Sequence, residues 1–197
     1  MLSFQLYRLG FWWRRIVTQL AMRPLFGAIG AGTTFYPFTL LIGSERVRVG
    51  RRTIIRRGCR MEVVDHGQDW APEIVIGDNV NIEQNVHIVC HDRIHIGDDV
   101  SITGGCAIVD VSHRHDLKLN GQPDVSGERS FVEIGNKSFL GYGVTVLPNV
   151  RIGRGCFIGA GSVVTRDLPD YAVAAGAPAR VLRIIPPPSN FGDTKYA

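Results

Sequence analysis

Large aliphatic residues recur six apart along most of this 197-residue chain. Ile134, Leu140, Val146, Ile152, Ile158 and Val164 keep the interval without a slip. Upstream it joins Ile76, Ile82 and Ile88, shifts by two residues, and resumes at Ile96, Ile102 and Ile108. A shorter run reads Val49, Ile55, Met61. The position four after each aliphatic is small or apolar: Thr53, Cys59, Val80, Val86, Val100, Cys106, Ser138, Val144, Val150, Cys156 and Ser162. It precedes the next aliphatic by two residues, so the pair shares one face of a strand. Between the pairs stand IGDNV, IGDDV, IGNKS and IGRGC, whose Gly, Asp, Asn and Arg suit tight turns and positive φ.

A period of six does not fit the 3.6-residue turn of a helix. Each hexad therefore predicts a short strand with two inward side chains, followed by a turn. Three hexads per coil make a triangular prism, its coils stacked at about 4.8 Å. The expected fold class is an all-β solenoid stabilised by coil-on-coil stacking. A β-sandwich would not hold an unbroken register from Ile134 to Val164. Two gaps interrupt the pattern: Glu62 to Glu73, with Asp65, His66 and Trp70, and the larger Val109 to Phe131. Loops on a rigid scaffold commonly carry function.

Composition narrows the picture. Neither apolar depletion nor charge excess points to global disorder. The net charge of +4 suits anionic small ligands or acidic surfaces. No Lys/Arg tract interleaved with aromatics runs through the body, so nucleic acid is not an expected partner. Cys59, Cys90, Cys106 and Cys156 form no C-x-x-C pair, and free thiols in a reduced compartment are expected. Cys59, Cys106 and Cys156 fall on the small inward position as core fillers, and Cys90 is off that phase. No uninterrupted apolar stretch reaches the roughly 18 residues of a membrane span. His87, His91 and His95 are spaced by four, but His87 and His95 precede inward aliphatics and so point outward on different prism sides, and no metal is expected.

The hexads, the loop opening VSHRHD and the closing stretch IGAGSVVTRDLPDYAVAAGAPARVLR resemble the hexapeptide-repeat acyltransferases, in particular the maltose/galactoside and polysaccharide O-acetyltransferase branch. The resemblance covers about residues 46 to 185 and implies a left-handed parallel β-helix, a homotrimer with active sites between subunits, and acetyl-CoA as co-substrate. It identifies His113 with the family's catalytic histidine, an imidazole able to take the acceptor's proton and return it to the thiolate. His115 would orient or replace it, or is a solvated loop residue. Asn85, three after Ile82, sits where the family's asparagine bonds the acceptor hydroxyl, on the corner that Gly105, Gly143 and Gly161 occupy in later coils. A turn asparagine at positive φ is the other reading. Within Gly141, Tyr142 and Gly143, the amide at 142 would face the thioester oxygen. Ala160, Thr165, Arg166, Arg180 and Arg183 match CoA-binding positions, the arginines suiting its phosphates.

The implied activity is transfer of an acetyl group from acetyl-CoA to a hydroxyl of a sugar or cell-surface polysaccharide precursor. N-acetylation of an amino-sugar or antibiotic, and a catalytically silent or metal-binding β-helix module, are the alternatives. The expected organisation is a helical capping segment over 1–45, the β-helix over 46–185 with its loop insertion at 109–131, and a polar, proline-stopped tail over 186–197. Leu2, Leu6, Leu9, Trp13, Ile16 and Leu20 predict an N-terminal amphipathic helix, widened by Phe4, Phe11 and Trp12. Packing on the solenoid's end or on a neighbour is the preferred role, and residues 1–26 lying on a membrane is the other. The expected location is the cytoplasm, with or without contact to the inner face of the membrane.

Overall fold

The computed structural model describes residues 2–65, 67–111 and 128–186, with side chains from Leu9 onward. The chain winds through three parallel sheets, taking one strand of each in turn. Face A stacks Ala28–Ile29, Val47–Val49, Glu73–Ile76, Arg93–Ile96, Phe131–Ile134 and Val150–Ile152. Face B stacks Thr34–Phe35, Ile54–Ile55, Asn81–Ile82, Ser101–Ile102, Phe139–Leu140 and Phe157–Ile158, then Ala172–Gly176. Face C stacks Leu40–Ile42, Arg60–Val63, His87–Cys90, Ala107–Val109, Thr145–Val146 and Val163–Val164. A last strand, Ala179–Ile184, runs antiparallel to Ala172–Gly176 and closes the end of face B.

The predicted aliphatics form the columns. Val49, Ile76, Ile96, Ile134 and Ile152 pair in register down face A. Ile55, Ile82, Ile102, Leu140 and Ile158 do so down face B, and Met61, Ile88, Ile108, Val146 and Val164 down face C. All are buried. The β-helix begins earlier than residue 46, because Ile29 pairs with Val49, Phe35 with Ile55 and Leu41 with Met61. An aromatic in the column and the broken aliphatic run hid this first coil.

The turn motifs have a steric cause. A Cβ on Gly50, Gly77 or Gly97 would lie 2.2 to 2.4 Å from the Asp78, Asp98 or Asn136 side chain of the next coil. Those same oxygens accept backbone amides across coils: Arg51 N to Asp78 at 2.6 Å, Asp78 N to Asp98 at 2.7 Å and Asp98 N to Asn136 at 3.0 Å. Glycine followed by Asp or Asn therefore builds a side-chain ladder along the corner between faces A and B.

Irregularity is confined to the corner between faces C and A. There the chain inserts two residues at 88–96 and far more before Glu73 and before Phe131. Face C strands also run longer at this end, giving a third inward column of Val63, Cys90 and Asp110. Cys90 is thus buried and inward, where the hexad phase had left it unplaced. Burial pushes the Cys59 thiol up to about 11 and raises those of Cys90, Cys106 and Cys156.

Asp110 organises this corner. Its carboxylate accepts the amides of His91, Asp92 at 2.9 Å and Arg93 at 2.8 Å. Burial raises its pKa against the pull of those amides. Asp92 receives both Nε and Nη2 of Arg129 at 3.1 Å and the amide of Ser130 at 3.1 Å, while the Ser130 hydroxyl donates to the Asp110 carbonyl. The Trp70 indole donates to the His91 carbonyl at 3.1 Å. One cluster, buried at Asp92, Asp110 and Ser130 and open at Arg129, thus ties the 62–73 loop to both flanks of the segment bearing His113.

The outward faces differ. Face A carries a charge ladder in which Glu133 takes Arg93 at 2.9 Å and Arg151 at 2.6 Å. Face B stacks Phe139 on Phe157, centroids 4.7 Å apart. Face C presents the small, half-buried column Ala107, Thr145 and Val163 beyond His87. Partial burial, and after it the Arg60 guanidinium, lower the His87 pKa.

Two outcomes follow from this architecture. Asp110→Ala strands three buried amides and should cost about 1–3 kcal/mol in a urea titration. His87 binds its proton less tightly folded than unfolded, so its contribution is complete above the ordinary imidazole value of about 6.5 and is lost as pH falls below it. Urea midpoints at pH 7.5 and 5.5 should fall further for the wild type than for His87→Gln.

Candidate functional site

The corner between faces B and C gathers most of the sequence-predicted site. After the first coil, each turn there places one residue at positive φ: Gly58 at 79°, Asn85 at 58°, Gly105 at 70°, Gly143 at 69° and Gly161 at 69°. Asn85 alone among these has a side chain, as the hexad count predicts. Its carboxamide oxygen settles over Gly58, in space a Cβ would fill. The turns are joined coil to coil, with Gly105 N donating to Gln84 O at 3.0 Å, Gly143 N to Gly104 O at 3.0 Å and Gly161 N to Tyr142 O at 2.8 Å.

Tyr142 sits in the middle of this corner. The Gly141 amide bonds Ile158 O at 2.8 Å and the Val144 amide bonds Gly141 O at 3.3 Å. The Tyr142 amide between them donates to no backbone acceptor among the described residues. Its ring, 70 % exposed, lies over Gly104 and Gly105, where added Cβ atoms would come within 3.5 and 3.4 Å of it. The resemblance implies a role for the Tyr142 amide alone. Two consecutive glycines one coil below were the signal for a ring seated there.

The closing hairpin adjoins the same corner. Gly159 N donates to Ala174 O at 2.8 Å and Gly176 N to the Ser162 hydroxyl at 3.1 Å, which sets Ala160 beside the hairpin. Arg180 pairs across it with Ala175, and Arg183 with Val173; both guanidinium side chains are exposed. Thr165 and Arg166 do not join this corner. They follow Val163–Val164 and so stand at the opposite edge of face C, exposed, about 13 Å along the strand from Gly161.

Face C thus has two dressed edges: Asn85, Tyr142 and the hairpin on one side, and on the other Thr165, Arg166 and the points where residues 109–111 leave and 128–131 return. His113 and His115 lie outside the described residues. The cluster of Asp92, Asp110, Arg129 and Ser130 went unnoticed in the sequence, although Asp110 stands two after Ile108, an inward position where a carboxylate is out of pattern. His87 and His95 point outward from faces C and A, and His91 is buried at the corner between them. Among the described residues no group of three His, Cys, Asp or Glu is arranged to hold a metal ion.

A family profile described as bacterial transferase hexapeptide (six repeats) matches residues 131–166. Galactoside O-acetyltransferase of Escherichia coli K12 is 39 % identical over 119 residues, covering 59 % of this chain and 56 % of that protein. The putative lipopolysaccharide biosynthesis O-acetyl transferase WbbJ of the same organism is 38 % identical over 117 residues, covering 56 % of this chain and 60 % of that one. The chain therefore spans little more than half the length of these relatives. Among solved structures, a point mutant of AntD, an N-acyltransferase from Bacillus cereus in complex with dTDP and coenzyme A, superposes with a TM-score of 0.69 at 16 % identity, over 87 % of this chain and 88 % of that one. That likeness is one of fold, the left-handed parallel β-helix. With a six-residue repeat matched by that profile, a three-faced solenoid and these relatives, the chain is similar to the hexapeptide-repeat acyltransferases, and among them to O-acetyltransferases.

Proposed function

We propose that this protein transfers an acetyl group from acetyl-CoA directly to a hydroxyl of a sugar or cell-surface polysaccharide precursor. The observation that carries the reading is the Tyr142 amide, without a backbone acceptor among the described residues, on the same corner as Asn85, at the edge of a face whose other edge is where the chain leaves toward His113. The printed names of the relatives, a galactoside and a lipopolysaccharide O-acetyltransferase, supply the acceptor class.

In this reading His113 accepts the proton of the acceptor hydroxyl as its oxygen bonds to the acetyl carbonyl carbon. The carbon–sulfur bond breaks, and the imidazolium returns the proton to the departing thiolate, so no net proton is gained or lost. Asn85 bonds the acceptor and holds it for attack, and His115 supports the His113 ring. The Tyr142 amide, held by bonded residues on either side, donates to the carbonyl oxygen as it becomes negative and favours the transition state over the ground state. Gly141 and Gly143 keep that turn free of side chains. Ala160, Thr165 and Arg166 border the donor groove, while Arg180 and Arg183 pair with the phosphates of CoA. The small outward column of Ala107, Thr145 and Val163 suits an apolar pantetheine arm.

The same reading includes a homotrimer with sites between subunits and a cytoplasmic location. The exposed Val181, Leu182 and Ile184 of the last strand are apolar surface that a neighbouring subunit would cover.

His113→Ala should lower kcat for thiol release by about 10²–10⁴-fold, with KM for acetyl-CoA little changed. The assay is run with a panel of sugar, glycan and amino-sugar acceptors. Unchanged turnover removes His113 from its role, and acetylation of amines alone replaces the hydroxyl reading. Arg180→Ala with Arg183→Ala should instead raise KM for acetyl-CoA by about tenfold with kcat nearly unchanged, the effect of losing roughly 1.4 kcal/mol of uniform binding.

A further inference from the structure

The N-terminal helix, α1 (Leu2–Val17), continues through a π turn at Thr18–Met22. It is fastened to the first coil by its polar side. The Thr18 hydroxyl accepts the Phe35 amide at 2.8 Å, and the Gln19 amide donates to Gly30 O at 3.0 Å and Thr33 O at 3.3 Å. The Arg14 guanidinium lies over the Tyr36 ring at 5.0 Å. These contacts occupy strand-edge groups at the open end of the solenoid.

Among the described side chains of the apolar stripe, Ile16 is half-buried and the rest face the other way. Leu9 is 66 % exposed, Trp12 and Trp13 64 % each, and Leu20 74 %. Within this chain the expected packing of that stripe onto the solenoid is therefore reversed: the bonding groups Thr18 and Gln19 are spent on the coil, and the hydrophobic side is turned outward. Two features say what covers it. The first 44 residues contain four arginines, Arg8, Arg14, Arg15 and Arg23, and no acidic residue, the first being Glu45. The rest of the chain carries 18 bases and 18 acids, so the whole net charge of +4 resides in this segment. Moreover, two adjacent tryptophans head the exposed stripe, and the indole suits the boundary between headgroups and acyl chains. Arg14 itself lies on the coil side, but the unbalanced charge of the segment as a whole repels a second copy of the same segment and attracts an anionic surface.

We propose that the outward face of α1, built from Leu9, Trp12, Trp13, Val17 and Leu20, docks on an anionic phospholipid bilayer. The helix lies in the plane of the interface, and the N-terminal end of the solenoid stands against it. No described helix is long and apolar enough to cross a membrane, and this arrangement requires no crossing. The proposal does not rest on His113 or on the acceptor.

The full chain is sedimented with large unilamellar vesicles of phosphatidylglycerol and phosphatidylethanolamine, and separately with phosphatidylcholine alone, while tryptophan emission is followed. Binding to the anionic vesicles, with a blue shift, should exceed binding to the neutral ones by at least about tenfold and weaken as salt rises. Trp12→Gln with Trp13→Gln should lose at least about tenfold of that binding with unchanged circular dichroism and acetyl transfer to soluble acceptors. Arg15→Gln should weaken binding to the anionic vesicles only. Equal binding by wild type and the double variant overturns the proposal. So does a wild type that ignores vesicles but forms a larger assembly in sedimentation velocity that the double variant does not, which would give the face to another copy of the chain.

Discussion

A coil of this molecule has almost no means of holding itself together. Before the closing hairpin its strands are two to four residues long, and their amides and carbonyls bond to the coils above and below. What fixes one coil is therefore registration on the next, imposed by columns of inward aliphatics and by the Asp and Asn ladder over the corner glycines. A slip of one residue would turn every inward side chain out and set each turn side chain against the wrong amide. That requirement keeps the corners between A and B and between B and C at a constant six-residue spacing. It also leaves the third corner as the place where added chain does not disturb the columns.

The site inherits this division. Asn85 and Tyr142 stand on a corner whose spacing cannot drift, so their separation is set by the stacking of coils. The His113 segment springs from the permissive corner, and there precision has to come from elsewhere. The buried carboxylates of Asp92 and Asp110 supply it, converting a tolerant insertion point into one with both ends fastened. Charged groups are costly to bury, and these two are surrounded by amides and a guanidinium that make the burial tolerable.

Much of this was legible in the amino-acid order, since a hexad column is a local pattern repeated many times. Ile134 to Val164 could be read without ambiguity, and the corner shared by Asn85, Gly105, Gly143 and Gly161 follows from counting. The first coil was not legible, because Phe35 stands where the other coils have an aliphatic. Cys90 and Asp110 escaped because a hexad describes two inward residues, while the longer strands of face C have three. Thr165 and Arg166 share with Arg180 a resemblance to CoA-binding positions, but the hexads alone do not tell that the width of face C separates them from the corner of Gly161. The helix sits on the solenoid's end as its position suggests, but the side it turns to the coil was not legible: an apolar stripe tells which side seeks cover, while Thr18 and Gln19, through bonds to distant backbone atoms, decide which side the coil receives.

The strand Ala179–Ile184 turns back against its neighbour, where every earlier strand ran parallel to the one before it. A parallel final coil would offer the same row of amides and carbonyls that each internal coil offers, and the opening coil of another molecule could add to it indefinitely. Reversing direction presents a mismatched rim, just as the helix obstructs the opposite mouth. A fold that is by nature a polymer of its own repeat is thereby kept to a finite length, the hairpin and the helix standing as stoppers against fibre growth.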